Sequence, residues 1–427
     1  MLVGVGLAVG VGCAMGMPAQ ATTPPDGSTA QSRPARHRSE NLLAHGYLST
    51  AGSQIIGPSG RPVRIAAVGW SVNEVSPLPS SQANADAMRA AGFNTVTIGW
   101  YDSDLHRGDV RAFLRSLDTV VRVARRAGLK VILNHHADEG LAGDGNCLAQ
   151  QANGLWFDKG PGTDGTDGCG NPGTVTKARF RADWEFIARR YRGNSTVIGF
   201  DLDNEPLAYP GMSTWGDGGI TDIRQMYATV GSALERIDPG VLIICEGPQN
   251  YGGTFDGPAG VTSPEGDLTA VKSQPVTLTT ESQVHPHYRI HERRPGKVVY
   301  SVHEYPHEIS GITDDSGPAA VARYNADWGY LVSGGLAPVW VGEAGSSMLE
   351  HPDDVRWAAT LTGYVNGREG AAGGPTFTGR QQPIGTTWWR WGYRPGEKPD
   401  GTLNVDGTLK HDQYAVYSRW QPRHRHG

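Results

Sequence analysis

Only four cysteines occur in 427 residues, and no Cys-x-x-Cys spacing joins any of them, which argues against a structural zinc site. Basic charge is not in excess either. Lys and Arg number 38 against 43 Asp and Glu, for a formal charge of −5 and a pI near 6.3. A surface of that kind has no positive field for phosphate backbones, so nucleic acid is excluded as a partner. Long apolar runs are also missing. The one apolar stretch, Met1 to Ala21, is rich in Gly and stops near Met17, too short and too interrupted for a membrane anchor. What remains is an ordinary soluble composition, 38% hydrophobic and 19% charged, sufficient for a large core. Gly at 59 residues and Trp at 12 stand out, and suit a loop-rich protein with aromatic surfaces for flat ligands.

The Met1–Ala21 stretch reads as a signal peptide with Ala19-Gln20-Ala21 as its cleavage site, although a basic n-region is lacking. Cys13 after Val11-Gly12 offers a lipoprotein alternative, but the large aliphatic residue needed three positions earlier is absent. Residues 22–41 are Pro, Ser, Thr and Arg with almost no large apolar side chain, and read as disordered linker. Once Cys13 leaves with the signal, Cys147, Cys169 and Cys245 remain. Cys147 and Cys169 flank a Gly/Asp-rich loop, and in an exported protein a disulfide closing it adds about 3 kcal/mol. Cys245, inside Val241-Leu-Ile-Ile-Cys245, reads as a small buried hydrophobe.

From there on, short apolar runs alternate with stretches of helical period. The runs are Val63–Trp70, Thr95–Trp100, Lys130–His136, Val197–Asn204, Val241–Glu246, Val298–Tyr305, Val339–Glu343 and Gly385–Trp391. Helical patterns fall at Ala85–Ala91, Val110–Ala127, Thr176–Tyr191, Ile223–Ile237, Ala319–Val332 and Asp354–Tyr364. Eight such strands indicate an α/β chain closed into a (β/α)8 TIM barrel. Gly46–Pro62, with turns at Ser49–Gly52 and Pro58–Gly60, reads as a β-hairpin capping the barrel floor. Pro248–Lys297 has little period and reads as a short helix plus an inserted loop. The expected organisation is a signal peptide over 1–21, linker over 22–41, one barrel domain over 42–421 and a flexible tail over 422–427. The mature protein is then secreted (extracellular or periplasmic), free of the membrane, and by default monomeric.

The runs end abruptly in chemistry: Asn134-His135-His136, Asp203-Asn204-Glu205, Glu246, His303-Glu304-Tyr305, Glu343 and Trp388-Trp389. In such a barrel these ends converge on one mouth, where active sites are built. Glu205, stiffened by Pro206, and Glu343 close two buried runs, and a carboxyl pair of this kind is what glycosidic cleavage needs. The plain alternative is two solvated surface acids, the usual fate of Glu. It fits poorly, because neither residue lies on a helix face. His136, His303 and Tyr305 end the third and sixth runs, and Trp389 ends the eighth. Each alone reads as a satisfied core residue; together they read as a binding rim, with an indole able to stack on a sugar ring. A metal-dependent hydrolase using His135, His136, Asp138 and Glu139 is the rival chemistry, weakened because adjacent strand residues point to opposite faces.

With these residues in place, the chain from about Gly46 to Trp420 resembles glycoside hydrolase family 5, and among its members the bacterial secreted endo-β-1,4-glucanases. The resemblance is carried by Leu48-Ser-Thr-Ala-Gly-Ser-Gln-Ile-Ile followed by Gly60-x-Pro62-Val-Arg-Ile65, and by Asn194-Ser-x-Val-Ile-Gly-Phe-Asp201-Leu-x-Asn204-Glu205-Pro206. Val299-Tyr-Ser-x-His303-x-Tyr305 and Pro338-Val-Trp-x-Gly-Glu343 extend it. It implies a retaining glycoside hydrolase acting on cellulose or a related β-glucan, without metal or cofactor. It makes Glu205 the general acid/base, its pKa raised by burial beside Glu343, and Glu343 the nucleophile. Asn204 would bind the sugar 2-hydroxyl and Tyr305 would hydrogen-bond Glu343. His136 and His303 would line the cleavage subsite and Trp389 would be its platform. β-Mannan, xyloglucan and mixed-linkage glucan are the alternative substrates.

Three departures accompany the match. The family's usual Arg at the end of the second strand is Thr97 here, which removes a cation expected to support Glu343; Arg390 is the substitute suggested by strand position. Asp203 stands where His is frequent. The aromatic-rich loop after the fifth strand gives way to Tyr251-Gly-Gly-Thr-Phe255 and an insert near 280–295. The missing Arg also keeps open a non-catalytic or weakly active sugar-binding barrel.

Overall fold

The computed structural model describes residues 46–71, 76–106, 109–137, 155–166, 172–208, 211–249, 266–279, 296–348, 351–367, 383–393 and 401–422. The expected signal peptide and linker, Cys147 and Cys169 with their disulfide, Asp138, Glu139, Tyr251–Phe255 and the 280–295 insert lie outside these residues.

All eight apolar runs form strands. They are β3 (Ala66–Gly69), β4 (Thr95–Tyr101), β5 (Lys130–Ala137), β6 (Val197–Asp201), β7 (Leu242–Glu246), β8 (Val298–His303), β9 (Val339–Glu343) and β10 (Gly385–Trp388). They close into a parallel barrel in sequence order, with β10 pairing β3. β6, β7 and β9 are buried at every position, as expected of strands covered on both faces. Alternation then divides their side chains between two cores. Ala67, Ile132, Ile198, Leu242, Ile244, Val299 and Trp340 fill the barrel interior, while residues such as Val131, Leu133, Phe200 and Ile243 pack outward against the helices.

Side-chain caps set where the long helices begin. Asp109 accepts from Ala112 N to open Val110–Ala127, which ends at Gly128 in the left-handed region (φ 75°). Thr176 and Asp222 open Lys177–Tyr191 and Ile223–Ile237 in the same way. The pattern over Ala319–Val332 is not one helix. It breaks into Gly317–Tyr324, a π-helical turn Asn325–Gly329 and Tyr330–Ser333. Tyr364 packs at this widened turn, its hydroxyl donating to Asn325 Oδ1 (2.7 Å). No helix among the described residues is long and apolar enough to cross a membrane.

The floor hairpin is present with its first turn moved. Ser49–Ala51 is strand β1, paired antiparallel with β2 (Gln54–Ile56) across a turn at Gly52-Ser53. Leu48, Ile55, Val63 and Ile65 pack directly onto the interior core and plug its lower end. Lys130 and Lys297 tie the hairpin down through the carbonyls of Gly46 and Leu48. The opposite end of the barrel is thereby the one left for ligands.

Candidate active site

Glu205, Glu343, His136, His303, Tyr305, Asn204 and Trp389 all follow or close strands at the C-terminal end of the barrel. An oxygen of Glu205, an oxygen of Glu343 and a ring nitrogen of His303 lie within 4.8 Å of one another. Glu205 adopts a left-handed backbone (φ 49°), a conformation that is uncommon for a side chain of this kind and tends to occur at functional sites.

His303 is the hub. Its Nδ1 lies 2.9 Å from Glu205 Oε1 and 3.7 Å from Glu343 Oε2, and its Nε2 faces Glu246 Oε2 at 3.4 Å. Burial alone would strip the ring of its proton. Glu246, Glu343 and Glu205 more than offset that and push its pKa well above that of an ordinary imidazole. Gly342 makes room for it, since a Cβ there would sit 3.2 Å from His303 Nε2 and 2.3 Å from Ser301 Oγ. Tyr305 donates to Glu343 Oε2 at 2.7 Å, as the resemblance implies.

Glu343 is buried, and its carboxyl is pushed up to about 7 by that burial. His303 and the Tyr305 hydroxyl pull it down, and Glu205 adds to the rise. Thr97 is buried too, and its Oγ1 makes no hydrogen bond among the described residues. The ion pairs among those residues include none between Arg390 and Glu343; the cation facing Glu343 is His303. That cation sits on the sixth barrel strand and is itself a residue of the family motif, so it opposes the burial of Glu343 without replacing the Arg.

Trp389 and His136 form the other wall, their rings stacked at 5.5 Å and 10°. Gly69 is required here, because its Cβ would fall 2.3 Å from the Trp389 ring. His136 Nδ1 is held by Asn134 Oδ1 (2.8 Å), and Asn134 Nδ2 reaches Asp201 (3.0 Å) and Asn204 Oδ1 (3.3 Å). Trp388 and Trp391 turn away into the outer core, Trp388 against Tyr417 and Trp420.

Some strand-end residues do not join the site. Glu304 points into the outer layer, where Arg323 and Trp328 Nε1 bind it. His135 also faces outward, its Nε2 2.7 Å from Asp102, so His135 and His136 cannot share a metal. Glu205, His303 and Glu343 are the one group of three among the described residues with donor atoms close enough to hold an ion. Glu246 went unassigned from sequence beyond its place at a strand end. Its carboxylate is wholly buried beneath the pair, and burial raises its pKa well above the usual carboxylate range.

Comparison with known proteins agrees with this geometry. The cellulase family (glycosyl hydrolase family 5) matches residues 55–395. An endoglucanase of Paenibacillus polymyxa is 26% identical over 347 residues, covering 75% of this chain and 77% of its own. An endocellulase of Pyrococcus horikoshii, solved as a complex with cellotetraose, has a TM-score of 0.65 at 21% identity, over 88% of this chain and 98% of that one. The catalytic domain of the major endoglucanase of Xanthomonas campestris gives 0.63 at 21% identity, over 88% and 99%. The chain belongs to the cellulase family, glycosyl hydrolase family 5, and is a glycoside hydrolase.

Proposed function

We propose that the protein is a retaining endo-β-1,4-glucanase acting on cellulose or a related β-glucan, with Glu205 as acid/base and Glu343 as nucleophile. One observation carries the mechanism: the two carboxyl groups approach within 4.8 Å, oxygen to oxygen. That spacing suits direct attack, since retaining enzymes hold their carboxyls about 5–5.5 Å apart and inverting ones leave room for a water. The names of the relatives, endoglucanase and endocellulase, support the substrate class.

In the first step Glu343 attacks the anomeric carbon while Glu205 gives its proton to the departing glycosidic oxygen. Tyr305 and His303 both face Glu343 Oε2, which supports a carboxylate held in a fixed orientation for attack. In the second step a water gives its proton to Glu205, attacks the same carbon and releases Glu343. Two inversions restore the β configuration. In this reading Asn204, next to Glu205 in the chain, takes the sugar 2-hydroxyl, and the stacked Trp389–His136 wall takes a sugar face. Export belongs to the same proposal: a polymeric substrate lies outside the cell, and Met1–Ala21 is the feature that supports it.

The test is a polysaccharide panel with NMR of the first-formed anomer, run on wild type, Glu205→Gln and Glu343→Gln. A β-anomer from carboxymethylcellulose, and a loss on the order of a thousandfold or more in each variant, is expected. An α-anomer would end the retaining mechanism, and near-normal rates in either variant would end the assignment. Preference for β-mannan, xyloglucan or mixed-linkage glucan would move the substrate within the family.

A further inference from the structure

Behind the barrel wall lies a second buried imidazole that the reaction above does not use. His135 is wholly buried, with Asp102 Oδ2 at 2.7 Å from Nε2 and Asp203 Oδ1 at 3.5 Å from Nδ1. Trp100 and Phe180 stand edge-to-face around it at 4.9 and 4.8 Å, and Trp184 lies at 6.3 Å. The three polar groups come from three elements: the end of β5, the helix Asp102–His106 and the segment after β6. The chain of contacts continues outward. Asp183 acts on Asp102 as a nearby like charge, and it in turn pairs with His106 Nε2 at 2.7 Å and has Arg179 Nε at 3.9 Å. No other titratable group appears in the contacts of His135 among the described residues.

Two of these contacts act on one short segment. Asp203 immediately precedes Asn204-Glu205, and the Asn204 amide donates to the carbonyl of His135 itself at 2.9 Å. Trp184, part of the aromatic wall, holds the next carbonyl back, donating from Nε1 to Leu202 O at 3.1 Å. The segment Leu202–Glu205 is thus gripped from behind at successive residues, and it ends in the left-handed Glu205. A strained backbone of that kind persists only where its surroundings fix it.

We propose that His135 is a positioning residue for the Asn204–Glu205 tip: a buried imidazolium held between Asp102 and Asp203 that fixes the acid/base arm from outside the barrel. Stability alone is a poor reason for such an arrangement. Taking three ionisable groups out of water costs several kcal/mol, and apolar residues of equal volume usually pack at least as well. Burial works against the proton on His135, but Asp102 and then Asp203 outweigh it and hold the ring charged up to about 10. Asp203 thereby gains a role at the position where His is frequent in relatives. The inference rests on reading Glu205 as the acid/base group, and its test separates the two.

Asp203→Asn and His135→Gln keep shape and hydrogen-bonding capacity while removing charge; Asp203→Asn is the milder if His135→Gln folds poorly. Hydrogen exchange of the peptide spanning 201–206 is measured first, with the other barrel strands as internal reference. Faster exchange confined to 201–206 is expected in both variants. On carboxymethylcellulose, kcat should fall on the order of tenfold or more with KM changed by less than about twofold, as for a displaced catalytic group. Unchanged exchange at 201–206 in the folded variants overturns the proposal, as does exchange that rises equally across all strands. A wild-type protein inert on every β-glucan would remove the reading of Glu205, while the exchange result would still decide the role of His135.

Discussion

Thr97 stands where the family resemblance implies an Arg supporting Glu343, and the Glu343 carboxyl sits at about 7 instead of in the usual carboxylate range. Two neighbours oppose that rise, the His303 ring at 3.7 Å and the Tyr305 hydroxyl at 2.7 Å. Removing the hydroxyl with Tyr305→Phe leaves burial and Glu205 less opposed, so the carboxyl should rise further. Since only the anion attacks, kcat/KM should drop on the order of tenfold at pH 5.5 and much less at pH 8. A pH-independent loss in the variant would mean that Tyr305 merely packs. At this scale much of the site was legible, because Glu205, Glu343, His136, His303, Tyr305 and Trp389 each end an apolar run. The ion pairing of Glu343 was not. Strand position pointed to Arg390, while the ion pair seen for Glu343 among the described residues is with His303, whose contacts with three glutamates join β8 to the ends of β6, β7 and β9. Contacts between strands about 40 to 100 residues apart leave no local pattern to read. Asp102 was hidden for another reason: it opens a five-residue helix, too short for periodicity to show.

Among the elements, the floor hairpin has the clearest separable role. Ile55 is 3% exposed and packs with Leu48, Val63 and Ile65 on the lower interior core, at the end of the barrel away from Glu205. Ile55→Ala should destabilise the protein by about 2–5 kcal/mol, read as a lowered denaturant midpoint. Activity per folded molecule should be unchanged, since the hairpin touches no site residue. A changed KM would show that floor and mouth communicate. The strands were readable because each is a short β-branched run with chemistry at one end, and both faces are covered. The π-helical turn at Asn325–Gly329 was not, because it depends on Tyr364 approaching from a helix some 40 residues on. The hairpin turn was misplaced by two residues because Ser49-Thr-Ala51 has weak strand character of its own. It is held as a strand by pairing with Gln54–Ile56 and by the Thr50–Gly296 bridge.

Over the whole molecule, the requirements of the site and of the fold run in opposite directions with pH. Burial raises Glu343 and Asp201 each to about 7, whereas in the unfolded chain both titrate near 4. Between those values the native state holds more protons, so unfolding free energy falls as pH rises. The imidazoles add in the same sense. His303 and His135 have raised pKa values in the fold, so their stabilisation is complete below about 6.5 and is lost as pH climbs toward their folded values, about 10 for His135. Acidification from pH 8 to 5.5 should therefore raise the thermal midpoint, by roughly several degrees, while the fraction of molecules with Glu343 ionised falls. Because Glu205 must at the same time hold its proton, kcat/KM passes through a maximum rather than rising throughout with pH. Glu343→Gln removes one contributor without changing shape, so its midpoint should vary less with pH over the same range. Melting curves for both proteins at pH 5.5, 6.5 and 8 decide the matter. A wild-type midpoint that rises with pH, or a variant with the same slope as wild type, would show that Glu343 does not carry the charge conflict. If the slopes differ as expected, the protein is least stable where its nucleophile is ready, because the anion that must attack the sugar is held in a site that burial makes unfavourable to charge.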